Sequence, residues 1–189
     1  MKILAFGHKS RTGKDTSTKF LVDLAKQRRP ELRVERRAFA DKVKDIAYQL
    51  YQHHGLQPGP YYDEFPEARA IKLPLLNMDP VEVWVATGNK FREIYAETWV
   101  DFVLLDCSAD IVIISDLRYP NEAKRVMQLG GLCLKMEKED APIRNTVADN
   151  ALNGFDSWYH VFRNNGSKQQ LESSLTNFID KLGWIDAKN

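Results

Sequence analysis

A short glycine-bearing segment near the start of the chain carries residues suited to binding phosphate. The sequence Gly7-His8-Lys9-Ser10-Arg11-Thr12-Gly13-Lys14-Asp15-Thr16 follows an apolar run and precedes an amphipathic one. Small residues let backbone N–H groups converge on phosphate oxygens, a helix start adds positive potential, and a lysine neutralises charge. Gly13 is such a small residue, and Lys14 is the lysine. The segment therefore predicts a nucleoside triphosphate site, and the simpler alternative is a lysine-rich loop that caps a helix.

The segment departs from the common phosphate-loop pattern GxxxxGK[ST] at two positions. His8 stands where the first glycine is expected, and Asp15 stands where a hydroxyl residue is expected. A carboxylate is a hard oxygen ligand, so Asp15 can hold Mg²⁺ directly or through water. Thr16 is then left to hydrogen-bond a phosphate.

A second group of chemically capable residues follows a predicted buried strand. The β-branched run at 111–115 leads into Asp116-Leu117-Arg118. Because ligands of open α/β sheets bind at the carboxyl ends of strands, Asp116 and Arg118 are predicted to lie at the site. In an extended chain both side chains point the same way, which places a metal-facing or base-like carboxylate beside a phosphate-binding guanidinium. The alternative is a surface ion pair with a helix N-cap.

The elements that would position these residues alternate along the chain. Apolar runs predict five strands, at 2–6, 34–39, 111–115, 131–136 and 160–163. Amphipathic runs predict six helices, at 16–27, 40–51, 80–86, 97–107, 120–129 and 167–182. Such alternation is typical of an α/β fold with a parallel sheet. The segment 54–66, rich in proline and glycine, is predicted as a loop, and the stretch from there to 107 as a helical excursion over one edge of the sheet.

Composition excludes several classes of protein. The 189 residues contain 27 Lys and Arg against 26 Asp and Glu, so no excess positive charge attracts nucleic acid. No apolar run approaches the roughly 20 residues that span a bilayer, and the first run is too short for a secretory signal. The two cysteines, Cys107 and Cys133, have neither disulfide nor zinc spacing. We therefore expect a cytoplasmic globular protein of one domain.

These motifs together resemble those of the bacteriophage deoxynucleoside monophosphate kinases, a family of P-loop kinases. The specific ones are Gly13-Lys14-Asp15-Thr16 and the stretch Asp116-Leu117-Arg118-Tyr119-Pro120-Asn121-Glu122. Weaker similarities extend over nearly the whole chain: Phe39-Ala40-Asp41-Lys42-Val43-Lys44, residues 88–92 with Trp99-Val100, and Asn165-Gly166-Ser167.

The resemblance implies a three-layer P-loop kinase fold of the α/β class. Its sheet has five mainly parallel strands with helices on both faces, and a small lid covers the site. The chain would then be a single domain over 1–189, with an acceptor-binding helical excursion at about 54–107 and a lid at about 137–150.

The resemblance also implies an activity. In that family ATP lies on the phosphate loop, and a deoxynucleoside 5′-monophosphate accepts its γ-phosphoryl group to give ADP and the diphosphate. The implied cofactors are ATP and Mg²⁺. The implied partners are small nucleotides rather than nucleic acid or membrane, and a homodimer is left open. A phage-encoded protein would act in the host cytoplasm.

The resemblance also implies roles for particular residues. Lys14, on the loop with Gly13, would bind the β and γ phosphates, Asp15 and Thr16 would order Mg²⁺ and phosphate, and Asp116 would complete the metal or nucleophile-orienting environment. Arg118 and Arg92 would clamp the transferring or acceptor phosphate.

Other residues are assigned around the nucleotides. Asn165-Gly166 resembles the turn that borders the adenine of ATP, Lys44 would contact the acceptor, and Arg144 is the candidate lid arginine. Trp84, with Tyr61, Tyr62 and Phe65, could form a stacking wall for the acceptor base. Ordinary packing or solvent exposure is the alternative for all of these residues.

Two other functions stay open on the sequence. A related P-loop kinase could use another small acceptor, as dephospho-coenzyme A kinase and phosphomevalonate kinase do. A non-catalytic protein could bind ATP as a sensor. A GTPase is disfavoured, because Asn89-Lys90-Phe91-Arg92 has an arginine where the guanine-reading carboxylate belongs.

Overall fold

Five parallel strands form the central sheet, in the order β2-β3-β1-β4-β5. The computed structural model describes residues 1–105, 107–141 and 146–186. The strands are β1 (Lys2–Gly7), β2 (Val34–Arg37), β3 (Ile111–Leu117), β4 (Leu132–Glu137) and β5 (His160–Arg163). The helices are α1 (Lys14–Arg28), α2 (Phe39–Tyr51), α3 (Gly59–Glu64), α4 (Pro80–Ile94), α5 (Thr98–Leu104), α6 (Pro120–Gln128), α7 (Thr146–Asn150) and α8 (Lys168–Leu182). The predicted α/β class is confirmed.

Alternation along the strands builds two covered faces. Leu4 and Phe6 of β1 join the core that α1 and α8 complete through residues such as Leu21 and Leu175. Ile3 points to the opposite face, where α6 packs and where the Cys133 thiol donates to the Ala123 carbonyl at 3.7 Å. Strands buried on both faces have continuous apolar sequences, and strands of this kind could therefore be predicted from the sequence.

The described strands pair only in parallel, where the sequence predicted a mainly parallel sheet. The order places β3 between β2 and β1, so the two N-terminal strands do not touch each other in the sheet. The carboxyl ends of β1 and β3 are therefore neighbours, with Gly7 in register with Leu117.

The chain divides into two compact units, which we describe separately. The sheet unit comprises Met1–Ala38 and Cys107–Asn189, and the helical unit comprises Phe39–Asp106. The helical unit holds α2 to α5 around a core of Ala47, Leu56, Tyr62, Leu73 and Val83. The helical excursion thus begins at 39 rather than at 54, because α2 packs with the helices that follow it.

Two predicted boundaries within the helical unit were wrong. The segment 54–66, predicted as a loop, contains α3, whose first turn holds a proline that suits a helix start. The predicted helix at 80–86 continues to Ile94. It passes through Gly88, whose carbonyl accepts a hydrogen bond from the Trp99 indole N–H at 3.0 Å.

None of the helices in the described ranges combines the length and the apolar character needed to cross a bilayer.

Candidate functional site

The loop of residues 8–13 joins β1 to α1 and turns sharply through left-handed backbone conformations. His8 has φ 86°, Arg11 has φ 54° and Gly13 has φ 103°. Left-handed φ is costly for a residue with a Cβ atom and is the reason that glycine occurs at such positions. His8, at the position where the phosphate-loop pattern expects a glycine, therefore has a backbone conformation that favours glycine.

Lys14 begins α1 and folds its ammonium group back into this loop. The side chain is buried, and its Nζ donates to the Lys9 carbonyl, with the His8 carbonyl at 3.5 Å and the Thr12 hydroxyl at 3.4 Å. Burial, and secondarily the nearby Arg118 guanidinium, lower the pKa of Lys14 to about 8. A cation held this way can exchange carbonyl oxygens for the oxygens of an incoming phosphate.

The end of β3 lies against the same loop, as the sequence predicted. Arg118 donates from Nη1 to the His8 carbonyl at 3.0 Å. The register between β1 and β3 shifts between Ala5 and Gly7, so β3 carries an extra residue beside Asp116. Such irregularities re-aim side chains at the ends of strands. The Asp116 carboxylate is close enough to Lys14 to act against the lowering of its pKa.

A buried glutamate fixes the backbone that carries Arg118. Glu122, in the first turn of α6, accepts from the backbone N–H groups of Arg118 at 2.9 Å and of Tyr119 at 3.1 Å. A carboxylate that satisfies the free N–H groups at a helix start is stabilising there. Glu122 is the third residue of α6, after the N-cap Tyr119, and its two hydrogen bonds hold the backbone from which Arg118 reaches the loop.

The sequence did not reveal Asp149, which is bound to both parts of the site. Its carboxylate accepts from the Ser10 backbone N–H and the Ser10 hydroxyl, each at 2.9 Å, and from Arg118 Nη1 at 2.6 Å. The Asp149 side chain is fully buried, with 0% exposed. Asp149 falls in a polar segment without periodicity, so only the three-dimensional contact identifies it.

Two asparagines that the sequence reasoning also missed hold other points of the loop. Asn153 Oδ1 lies 3.3 Å from His8 Nε2, and Asn164 Nδ2 donates to the Thr12 carbonyl at 2.9 Å. Asn164 also packs against Gly13, where an added Cβ would lie 2.4 Å from its Nδ2. This crowding and the left-handed φ both require glycine at position 13.

Asp15 and Asp116 are the predicted magnesium ligands. Asp15 is exposed at the start of α1, and its carboxylate lies 3.6 Å from the Arg36 guanidinium of β2. No group of three or more His, Cys, Asp or Glu side chains within the described ranges could hold a metal ion by itself. Mg²⁺ commonly takes one or two carboxylates and completes its shell with substrate phosphates and water, so two carboxylates near Lys14 fit such an ion.

The remaining predicted ATP contacts lie in α1 and after β4 and β5. Asn165 accepts from the Glu139 backbone N–H at 3.1 Å, and Gly166 precedes Ser167, the N-cap of α8. Thr16 is exposed in the first turn of α1. Arg144, the predicted lid arginine, lies outside the described residues, as do its neighbours at 142, 143 and 145.

Three of the predicted acceptor-binding residues, Lys44, Trp84 and Arg92, lie in the helical unit, and the fourth, Arg118, lies in the sheet unit. Lys44 Nζ lies 5.3 Å from the centre of the Trp84 ring, and Trp84 in turn packs edge-on against the buried Tyr62. The Arg92 guanidinium lies beside Gly88 on α4. Of the four aromatic residues predicted as a stacking wall, Tyr62 is part of the core, while Tyr61 and Phe65 expose 38% and 40% of their surface.

The fold and the loop define a class: a three-layer α/β protein with P-loop-like topology, whose first β–α connection turns through left-handed residues around a buried lysine. No protein-family model matches the chain, and no curated protein matches it either.

Proposed function

We propose that this protein transfers the γ-phosphoryl group of ATP to a deoxynucleoside 5′-monophosphate, giving the deoxynucleoside diphosphate and ADP. The observation that carries the proposal is the convergence of two cations on one loop. Lys14 lies inside the loop of residues 8–13, and Arg118 from the end of β3 reaches the same loop at the His8 carbonyl.

The two cations suit a reaction that needs positioning and charge neutralisation. During transfer, an oxygen of the acceptor phosphate forms a bond to the γ-phosphorus, and the bond from that phosphorus to the β–γ bridging oxygen breaks. Negative charge passes to ADP as this occurs. Lys14, beside the loop backbone, would neutralise the β and γ phosphates. Arg118 would stabilise the transferring group.

Arg118 can hold its protein partners and a phosphate together. Its Nη1 donates to His8 and Asp149, while its side chain keeps 24% of its surface exposed. A guanidinium has further N–H donors on its other nitrogens, arranged as a fork that matches two phosphate oxygens. The internal contacts would therefore fix its direction and leave donors for the ligand.

Asp15 and Asp116 are the side chains that would hold Mg²⁺, which would supply positive charge against the phosphates. The acceptor class comes from the family resemblance, which assigns Lys44, Arg92 and Trp84 to the monophosphate. Nucleotide substrates of this kind belong to a cytoplasmic reaction.

The test offers the protein ATP and Mg²⁺ with each of the four deoxynucleoside monophosphates, and resolves the products by anion-exchange chromatography. Parallel arms contain dephospho-coenzyme A, phosphomevalonate, or no acceptor. We expect a deoxynucleoside diphosphate and an equal amount of ADP. If product forms only with dephospho-coenzyme A or phosphomevalonate, the acceptor is that compound and not a deoxynucleoside monophosphate. ATP binding without any product would favour a sensor.

The Lys14→Ala variant tests the role of the loop in the same assay. Loss of a preorganised cation should lower turnover by on the order of 10²-fold or more. The matched control is Lys19→Ala, which removes an exposed lysine one helical turn further along α1. A Lys14→Ala protein that turns over as fast as the Lys19→Ala protein would contradict the assignment.

A further inference from the structure

One buried carboxylate joins three parts of the sheet unit. Asp149 on α7 accepts through the same Oδ1 atom from the Ser10 backbone N–H, the Ser10 hydroxyl and the Arg118 guanidinium. The bonded groups come from the loop of residues 8–13 and from the chain just after β3. Hydrogen bonds to a charged, buried acceptor are the strongest of their kind, so this contact constrains all three segments.

A second contact lies four residues further along the chain. Asn153 Oδ1 lies 3.3 Å from His8 Nε2, and Asn153 Nδ2 donates to Asn150 Oδ1 at 3.0 Å. The segment 149–153 thus holds the loop at Ser10 and at His8. Because the left-handed backbone of His8 is costly, it persists only where surrounding contacts over-determine it.

We infer that Asp149 is a positioning residue for the proposed phosphoryl transfer: together with Asn153 it fixes the loop backbone and the direction of Arg118, without touching nucleotide. The inference rests on the proposed function. It gives a role to Asp149 and Asn153, which lie at the end of the predicted lid at 137–150 and just beyond it.

Charge and burial place Asp149 behind the site rather than in it. A carboxylate repels a phosphate, and this one is fully buried and already accepts the Ser10 N–H, so a phosphate would use other N–H groups of the loop and the remaining donors of Arg118. Exposing it to admit a ligand in its place would take the carboxylate partner from Arg118 and separate an ion pair whose acid is fully buried, which is costly. Asp149 therefore acts on the ligand through Arg118 and Ser10.

The first test uses the protein without nucleotide. Asp149→Asn removes the charge and keeps the size of the side chain. We expect amide hydrogen exchange at residues 8–13 to accelerate by about 10- to 100-fold, the equivalent of losing a hydrogen bond to a charged group. Exchange within β4 and α8 should not change. The matched control is Asp180→Asn, which breaks a surface ion pair with Arg28.

The second test is kinetic and separates positioning from general stability. In Asp149→Asn, kcat should fall by about 10- to 100-fold while KM for ATP changes little, because the loop still binds phosphate but presents Arg118 wrongly. If this variant does not fold, the same kinetics are measured on Asn153→Ala, a substitution at an exposed position. We expect a smaller fall in kcat for that variant.

The outcomes distinguish this inference from the proposed function. A wild-type protein that transfers phosphoryl groups, with an Asp149→Asn variant equal to Asp180→Asn in loop exchange and kcat, overturns the inference alone. A wild-type protein without transfer overturns the proposed function, and Asp149 then has no reaction to position. Faster loop exchange together with a kcat-specific loss supports the inference.

Discussion

At the scale of single residues, the site depends on a lysine whose charged form is destabilised by its surroundings. Lys14 is almost fully buried, and its pKa is lowered to about 8, first by that burial and then by the Arg118 guanidinium. A phosphate beside the ammonium would favour the charged form and raise this pKa again. Binding is therefore linked to proton uptake in the range where the free protein loses the proton.

This linkage predicts a pH dependence of ATP binding. The terminal phosphate is already ionised above neutral pH, so Lys14 dominates the change there. Affinity should fall as the pH rises through about 8, and binding at that pH should take up a proton. Calorimetry in two buffers of different ionisation enthalpy measures the uptake. Binding without uptake in the wild-type protein, or the same uptake in Lys14→Ala, would contradict the prediction.

His8 supports a second prediction at this scale. Because its φ is 86°, replacing it with glycine should relieve strain that replacement with alanine retains. Both substitutions remove the contact with Asn153, so their difference isolates the backbone. We expect the His8→Gly variant to be more stable than His8→Ala, with a free energy of unfolding about 1 kcal/mol higher in urea denaturation. An alanine variant as stable as the glycine variant would show that the turn is not strained.

The residues that sequence reasoning identified are those with a recognisable spacing. Lys14 follows a strand and a glycine, and Arg118 follows a buried β-branched run, so topology alone brings them together. Asp149 and Asn153 contact Ser10 and His8 from more than a hundred residues away in the chain. No local pattern encodes such contacts, which exist only because the fold has formed.

At the scale of elements, apolar runs identified the central strands β1 and β3, and the shorter β5, in which only Phe162 is buried, was predicted with its observed bounds. Strands buried on both faces need such runs, whereas helices at the protein surface allow more variety. Helix α3 was missed because its glycine and proline resemble a turn in isolation, although packing of Tyr62 into the core stabilises it. Tertiary contacts here outweighed local propensity.

The junction of β1 and the loop gives a prediction about packing. A Cβ added at Gly7 would lie 2.9 Å from Trp158 Cη2 and 3.2 Å from Leu117 Cδ2. Gly7→Ala should therefore destabilise the protein by about 1–3 kcal/mol through overpacking, and should shift the loop. Gly154→Ala is the matched control, because nothing lies within 4 Å of its added Cβ. Equal melting temperatures for the two variants would contradict this account.

At the scale of the whole molecule, the two units carry different parts of the proposed function. The ATP-binding assignments fall in the sheet unit, and three of the acceptor assignments, Lys44, Trp84 and Arg92, fall in the helical unit. The parallel sheet and the class of fold followed from the pattern of elements, whereas the strand order is known only from the structure. The boundaries of the helical unit, after residue 38 and before residue 107, could not be predicted, because α2 has the same amphipathic pattern as a helix that covers the sheet.

This division predicts separable kinetic effects. Lys44→Ala should raise KM for the deoxynucleoside monophosphate by about 10-fold, the loss of one charged contact, while Kd for ATP stays unchanged. Lys42→Ala is the matched control, since its Nζ lies over the Phe102 ring at 5.4 Å much as Lys44 lies over Trp84. Steady-state kinetics with calorimetry measures both constants. A change in ATP affinity, or equal KM values for the two variants, would contradict the assignment.

The strand order has a consequence for how the chain is made. Because β3 lies between β1 and β2, the first two strands leave the ribosome without the neighbour that joins them. That neighbour is synthesised only after the entire helical unit, at roughly 5–20 residues per second. Throughout this interval the apolar segment that becomes β1 stays open to chaperones and to misassociation. Productive folding of the sheet must wait until translation has passed residue 117.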